Sequence, residues 1–133
     1  MTTAVDTSVL LDILLDDPVF GKASEEALRQ ARLRGRLVVG ETVVAELGPI
    51  LASADEVAEF LADNGLEFVA SSQQAAHLAG TTYKAYLRNR GTSKRVVPDF
   101  LVAAHARFCA DCLLARDRGY YREYFRDLQV QEP

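Results

Sequence analysis

The sequence is short of the features that mark specialised chain classes. Of its 133 residues only 2 are cysteine, 4 proline and 8 glycine, too few for a disulfide framework, a collagen-like repeat or a Pro/Gly-rich disordered chain. No apolar run approaches the roughly 18 to 20 residues of a membrane span. Asp6 and Asp12 break up the one apolar stretch near Met1, so no secretory leader is expected. There is also no internal repeat and no linker. These absences lead to the expectation of a single cytoplasmic domain over residues 1–133, without a membrane partner. With 49% hydrophobic and 26% charged residues, such a chain can bury about two thirds of its unfolded surface.

Acids are missing where they would hinder a polyanion. The net charge of −4 argues at first against nucleic acid, yet the first 67 residues carry 13 Asp/Glu against 5 Lys/Arg and the remainder 6 against 10. No acid occurs between Phe68 and Pro98, a stretch holding Lys84, Arg88, Arg90, Lys94 and Arg95. That basic segment, with Arg116 and its neighbours Arg118 and Arg122, is a candidate phosphate-binding surface. The pair Cys109-x-x-Cys112 lacks a second cysteine pair, and His77 and His105 lack zinc-type spacing. The two cysteines close a helix rather than open one, where the dipole would lower a thiol pKa, so they are read as ordinary thiols.

The element order is repetitive. Thr3 to Asp6 reads as a strand, followed by a helix capped by Thr7 and Ser8 and running to Leu15. A second amphipathic helix ends near Gly35, a buried strand covers Leu37 to Val39, and a helix covers Glu41 to Leu47. A helix over 54–64 is expected to bury Val57, Phe60 and Leu61 before a strand over 67–69. A long helix then spans 73–90, and a basic loop spans 91–97. Pro98 opens a helix over 99–108, and a strand covers 112–115. A turn at Asp117, a helix over 120–125 and a strand near 128–130 complete the chain. Tyr120, Tyr121, Tyr124 and Phe125 are read as packing beneath that last strand rather than as base-stacking residues. Alternation of this kind predicts an α/β fold of three layers, α/β/α, around a parallel sheet of about five strands.

In open parallel sheets the working crevice lies at the carboxyl ends of the strands. Asp6 and Asp117 end apolar strands there, while Glu46 and Asp99 stand in apolar helical contexts, Thr-Val-Val-Ala-Glu-Leu and Val-Val-Pro-Asp-Phe-Leu-Val. Each acid has a local explanation as a cap, turn or solvated face. Gathered at one sheet edge, the four would repel one another unless a cation neutralised them. Hard carboxylate oxygens select Mg²⁺ or Mn²⁺.

Four segments, Ala4-Val5-Asp6-Thr7-Ser8-Val9-Leu10-Leu11-Asp12, Val43-Val44-Ala45-Glu46-Leu47, Pro98-Asp99-Phe100-Leu101-Val102-Ala103-Ala104-His105-Ala106 and Leu113-Leu114-Ala115-Arg116-Asp117-Arg118-Gly119-Tyr120-Tyr121, together carry a likeness over nearly the whole chain. In that order and spacing the sequence resembles the PIN-domain family, and within it the VapC-type toxins of VapBC toxin-antitoxin systems. The resemblance implies a Mg²⁺-dependent endoribonuclease. Its acidic quartet falls on Asp6, Glu46, Asp99 and Asp117, and its supporting hydroxyl on Ser8. Asp6 and Asp99 would be the principal metal ligands, Asp117 a ligand directly or through water, and Glu46 the carboxylate that orients the attacking water. It further implies an RNA substrate, a homodimer and a cognate VapB-type antitoxin. The apolar stripes of Leu10, Leu11, Leu14 and Leu15 and of the 54–64 helix are candidates for those interfaces.

Two other readings compete. A phosphoacceptor receiver-like domain also gathers acids at the carboxyl edge of a parallel sheet, but it needs an acidic pair after the first strand and a late lysine; Thr7-Ser8 follows Asp6, and no lysine follows Lys94. A PIN-like RNA-binding module without catalysis is the other, and the complete quartet weighs against it.

Overall fold

The computed structural model describes residues 1–89, 96–116 and 119–133. Twelve elements are present among them: β1 (Thr3–Val5), α1 (Thr7–Leu14), α2 (Gly21–Arg34), β2 (Leu37–Val39), α3 (Glu41–Leu47), α4 (Ala54–Asp63), β3 (Leu66–Phe68), α5 (Gln73–Arg88), α6 (Val97–Cys109), β4 (Cys112–Leu114), α7 (Tyr120–Tyr124) and β5 (Val130–Gln131). Arg90, Lys94, Arg95, Asp117 and Arg118, together with the rest of the expected basic loop through residue 95, lie outside the described residues. No helix among the described residues is long and apolar enough to cross a membrane.

The five strands form one parallel sheet in the order β3-β2-β1-β4-β5. Every residue of β1, β2 and β4 is buried, whereas only Leu66 of β3 is. This is the pattern of central strands covered on both faces beside a more open edge. The order settles the receiver-like alternative. A receiver sheet runs 2-1-3-4-5, but here β4 takes the place beside β1 and β3 lies at the far edge.

Right-handed crossovers put the helices that lead outward through β2 and β3 on one face, and those that lead back through β4 and β5 on the other. The winding reverses between β1 and β4. Thr3, Ala4 and Val5 of β1 register with Cys112, Leu113 and Leu114 of β4, so the residues just after Val5 and Leu114 share one edge of the sheet at the reversal.

Buried Phe100 anchors α6 within an aromatic cluster. Its ring centroid lies 5.6 to 5.8 Å from those of Tyr86, Tyr124 and Phe125 and 6.2 Å from that of Tyr120, with the tilted and edge-on geometries that aromatic pairs favour. These tyrosines pack internally as expected. Gly35 ends α2 where Met1 passes, and a Cβ there would collide with the Met1 carbonyl.

Three expectations need correction. The cap of α1 is Asp6, with Thr7 already in the first turn. The helix α4 buries no residue fully, and Val57, Phe60 and Leu61 are only half-buried, because α4 covers the edge strand β3 rather than the sheet centre. The last strand starts at Val130, since Leu128 is still in a turn, its N–H donating to the Phe125 carbonyl. Smaller shifts affect β3, which starts at Leu66, and α6, which starts at Val97 with Pro98 in its first turn.

Candidate active site

The chain leaves β1 and turns directly into α1 at Asp6. Its backbone is extended (φ −76°, ψ 153°) and its side chain caps the helix, Oδ2 accepting hydrogen bonds from the Ser8 N–H at 3.3 Å and the Ser8 hydroxyl at 2.6 Å. The carboxylate thus satisfies a helix-end donor while remaining at the sheet edge. The next residue performs a similar task for a different acid. The buried Thr7 hydroxyl donates to Glu46 Oε1 at 2.7 Å, tying α3 to the start of α1. Consecutive hydroxyls therefore hold two of the acids.

Asp99 lies in the first turn of α6, half-buried, one residue after Pro98 and one before the anchored Phe100. Burial of the three acids is graded: Asp6 is enclosed, Asp99 half-enclosed and Glu46 exposed. They meet around one phenol. Tyr121, from α7, is 3% exposed, and its hydroxyl donates to Asp6 Oδ1 at 3.1 Å. Burial first, then the charge of Asp6, that of Asp99, the hydrogen bond to Asp6 and the charge of Glu46 push its ionisation far above the ordinary tyrosine range. Tyr121 therefore stays protonated and acts toward Asp6 as a donor.

Asp6 thus sits at the β1/β4 reversal, where open α/β sheets bind ligands, with Glu46 tied through Thr7 to the start of α1 and Asp99 in the first turn of α6. The donor chemistry, oxygen throughout, fits a hard divalent cation. Among the described residues no three of His, Cys, Asp and Glu are grouped closely enough to hold a metal ion by themselves. Asp117, the fourth expected acid, lies outside the described residues.

A family profile for the PIN domain matches residues 3–125. The chain belongs to the PIN-domain family. Solved structures similar to this PIN domain include VapBC2 from Rickettsia felis, bound to a DNA fragment from its promoter (16% identity, TM-score 0.76, covering 100% of this chain and 99% of that one). VapBC-1 from nontypeable Haemophilus influenzae is similar at 20% identity, with a TM-score of 0.71 and coverage of 99% and 98%. VapC20 from Mycobacterium tuberculosis, a toxin that cleaves the sarcin-ricin loop, gives 12% identity, a TM-score of 0.61 and coverage of 96% and 98%. Sequence comparison with curated proteins finds no match.

Arg116 is engaged within the fold of this PIN domain. Rather than offering an uncommitted cation to phosphate, its guanidinium lies 2.8 Å from Asp12, which is 4% exposed, and stacks 4.1 Å from the Phe20 ring centroid. Its backbone N–H points at the Ser8 hydroxyl, 3.4 Å away. Arg122 is likewise engaged, paired with Glu132 at 2.9 Å. Arg88 is exposed in the last turn of α5.

The remaining candidates are structural. His105 is buried, with Nε2 2.6 Å from the Val69 carbonyl, and it joins α6 to the end of β3. Gly40 leaves room for it, since a Cβ there would come within 3.0 Å of the imidazole. Cys109 and Cys112 are free thiols. Burial pushes the Cys109 thiol up, the opposite of a reactive pair.

Two residues escaped sequence reasoning. Asp12 carried a signal, being a lone acid inside Leu-Leu-Asp-Ile-Leu-Leu, which implies a buried partner. Tyr121 carried none, because its contact with Asp6 spans 115 positions.

Proposed function

We propose that this PIN domain is a Mg²⁺-dependent endoribonuclease, with Mn²⁺ as an alternative ion, and the toxin of a VapBC-type pair. The observation that carries this reading is Asp6 at the β1/β4 reversal, held on both oxygens by Ser8 and Tyr121, with Glu46 tied through Thr7 to the same helix start. So many acids at one crevice are costly unless a cation joins them. Asp6, Asp99 and Asp117 would hold the ion and Ser8 would support Asp6. When bound, the ion supplies an acidified water and neutralises charge on the scissile phosphate.

The chain's own groups do the rest. Thr7 occupies Glu46 Oε1, leaving the other oxygen to orient a water and receive its proton. The exposure of Glu46 suits that contact with solvent. Asp6, gripped on both oxygens, keeps a fixed plane. Arg88, Arg90, Lys94 and Arg95 approach along the acid-free segment and bind RNA backbone.

The VapBC complexes among the similar structures support a VapB-type antitoxin as partner, and a homodimeric toxin in the cytoplasm is part of the same proposal. Inducing the wild type and Asp6→Asn separately and mapping new RNA ends tests the reading. Growth arrest with discrete cuts only in the wild type is expected, and the purified enzyme should lose cleavage in EDTA. Equal cutting by both forms would overturn it.

A further inference from the structure

We propose that Tyr121 is a positioning residue of the metal site, whose hydroxyl fixes the plane of the Asp6 carboxylate. The inference rests on the reading of Asp6 as a metal ligand. A carboxylate rotates easily about its last torsion, which has no sharp staggered wells, and it offers about four lone-pair directions. Ser8 grips only one oxygen, through its N–H and hydroxyl on Oδ2. That contact is local, and on its own it is all that opposes rotation about the Cβ–Cγ bond, which moves both oxygens together. The Tyr121 hydroxyl, 3.1 Å from Oδ1, closes the grip from the opposite end of the chain.

Tyr121 is itself fixed. It is 3% exposed, and the preceding Gly119 opens α7 in the left-handed region at φ +98°. Its neighbour Tyr120 packs edge-on against Phe100, the residue beside Asp99. One short helix thus touches Asp6 through Tyr121 and braces the helix carrying Asp99 through Tyr120.

The test is calorimetric titration of Mg²⁺ and of Mn²⁺ into the RNA-free full chain. Wild type, Tyr121→Phe and a control, Tyr83→Phe, which removes a phenol from the aromatic cluster, are compared. Tyr121→Phe keeps the ring and its packing, and thermal melting of each variant checks that the fold is intact. The expected result is metal affinity weakened about tenfold or more in Tyr121→Phe, the loss typical when a partner of a metal-ligating group is removed, with Tyr83→Phe like wild type. Wild-type binding that Tyr121→Phe leaves unchanged overturns this inference alone. No binding by the wild type overturns the metal-site reading and this inference with it.

Discussion

Arg116 and Asp12 form an ion pair at 2.8 Å that locks the exit of β4 onto α1, and Ser24 completes it with a 2.6 Å hydrogen bond to the other Asp12 oxygen. Replacing Asp12 with Ala would strand the guanidinium above Phe20. Breaking a buried pair from one side costs about 3 to 5 kcal/mol. Because Arg116 retains 28% of its side-chain exposure, roughly 2 to 3 kcal/mol is expected, a fall in Tm on the order of 10 °C for a chain of this size. Chemical denaturation would check it; a change under 1 kcal/mol would show the pair to be incidental.

Thr7→Val keeps the shape of Thr7 and deletes its hydroxyl. Glu46 would lose its only described hydrogen-bond donor, worth about 1 to 2 kcal/mol for a charged acceptor. If Glu46 orients water, kcat should fall about tenfold while KM for RNA stays constant. Steady-state cleavage kinetics separate the two, and a change confined to KM would place Glu46 in RNA binding instead.

Fold class and strand count were legible because they depend on local pattern: short apolar triplets such as Leu37–Val39 alternate with amphipathic helices. Capping was misread for an equally physical reason. Asp6, Thr7 and Ser8 can all cap a helix, and the choice falls on Asp6 because the Thr7 hydroxyl is drawn to Glu46, 39 positions away. The amphipathic period of α4 was real, but periodicity does not report how much surface a neighbour offers, and an edge strand offers little. The Arg116–Asp12 pair was illegible because the two residues are 104 positions apart.

Stability should decline on acidification. The Glu41 carboxyl is held below its ordinary value: burial is the largest single influence and works against this, but the Ser71 N–H, donating at 2.9 Å, outweighs it together with the Glu41 N–H, the Ser71 side chain and nearby His105. The N–H groups of Phe20 and Val19 lower Asp17, and Arg107 lowers Asp127. A depressed folded pKa gives stability that is complete above the unfolded value and lost as pH falls through the folded one. Melting temperature should therefore be flat above about pH 5 and drop below about pH 4. Glu41→Gln should shallow that drop; an identical profile would remove Glu41 from the account.

The basic segment can be examined by salt. Replacing Arg90 or Lys94 with Ala should weaken RNA binding alike across sequences and reduce the salt slope by about 0.7 to 1 per residue. Titrations from low to moderate salt with a catalytically silent Asp6→Asn background measure this. An unchanged slope would leave those cations as solvated surface.

The pairing of the first strand with the fourth also governs when the molecule can work during its synthesis. Asp6 leaves the ribosome long before its partners: β1 lacks its β4 neighbour until Cys112–Leu114 emerge, and Asp6 lacks Tyr121 until later still. Domains fold as units while the chain lengthens at about 5 to 20 residues per second. A nascent chain that stops short of Tyr121 therefore carries Asp6 without the strand and the phenol that hold it in place.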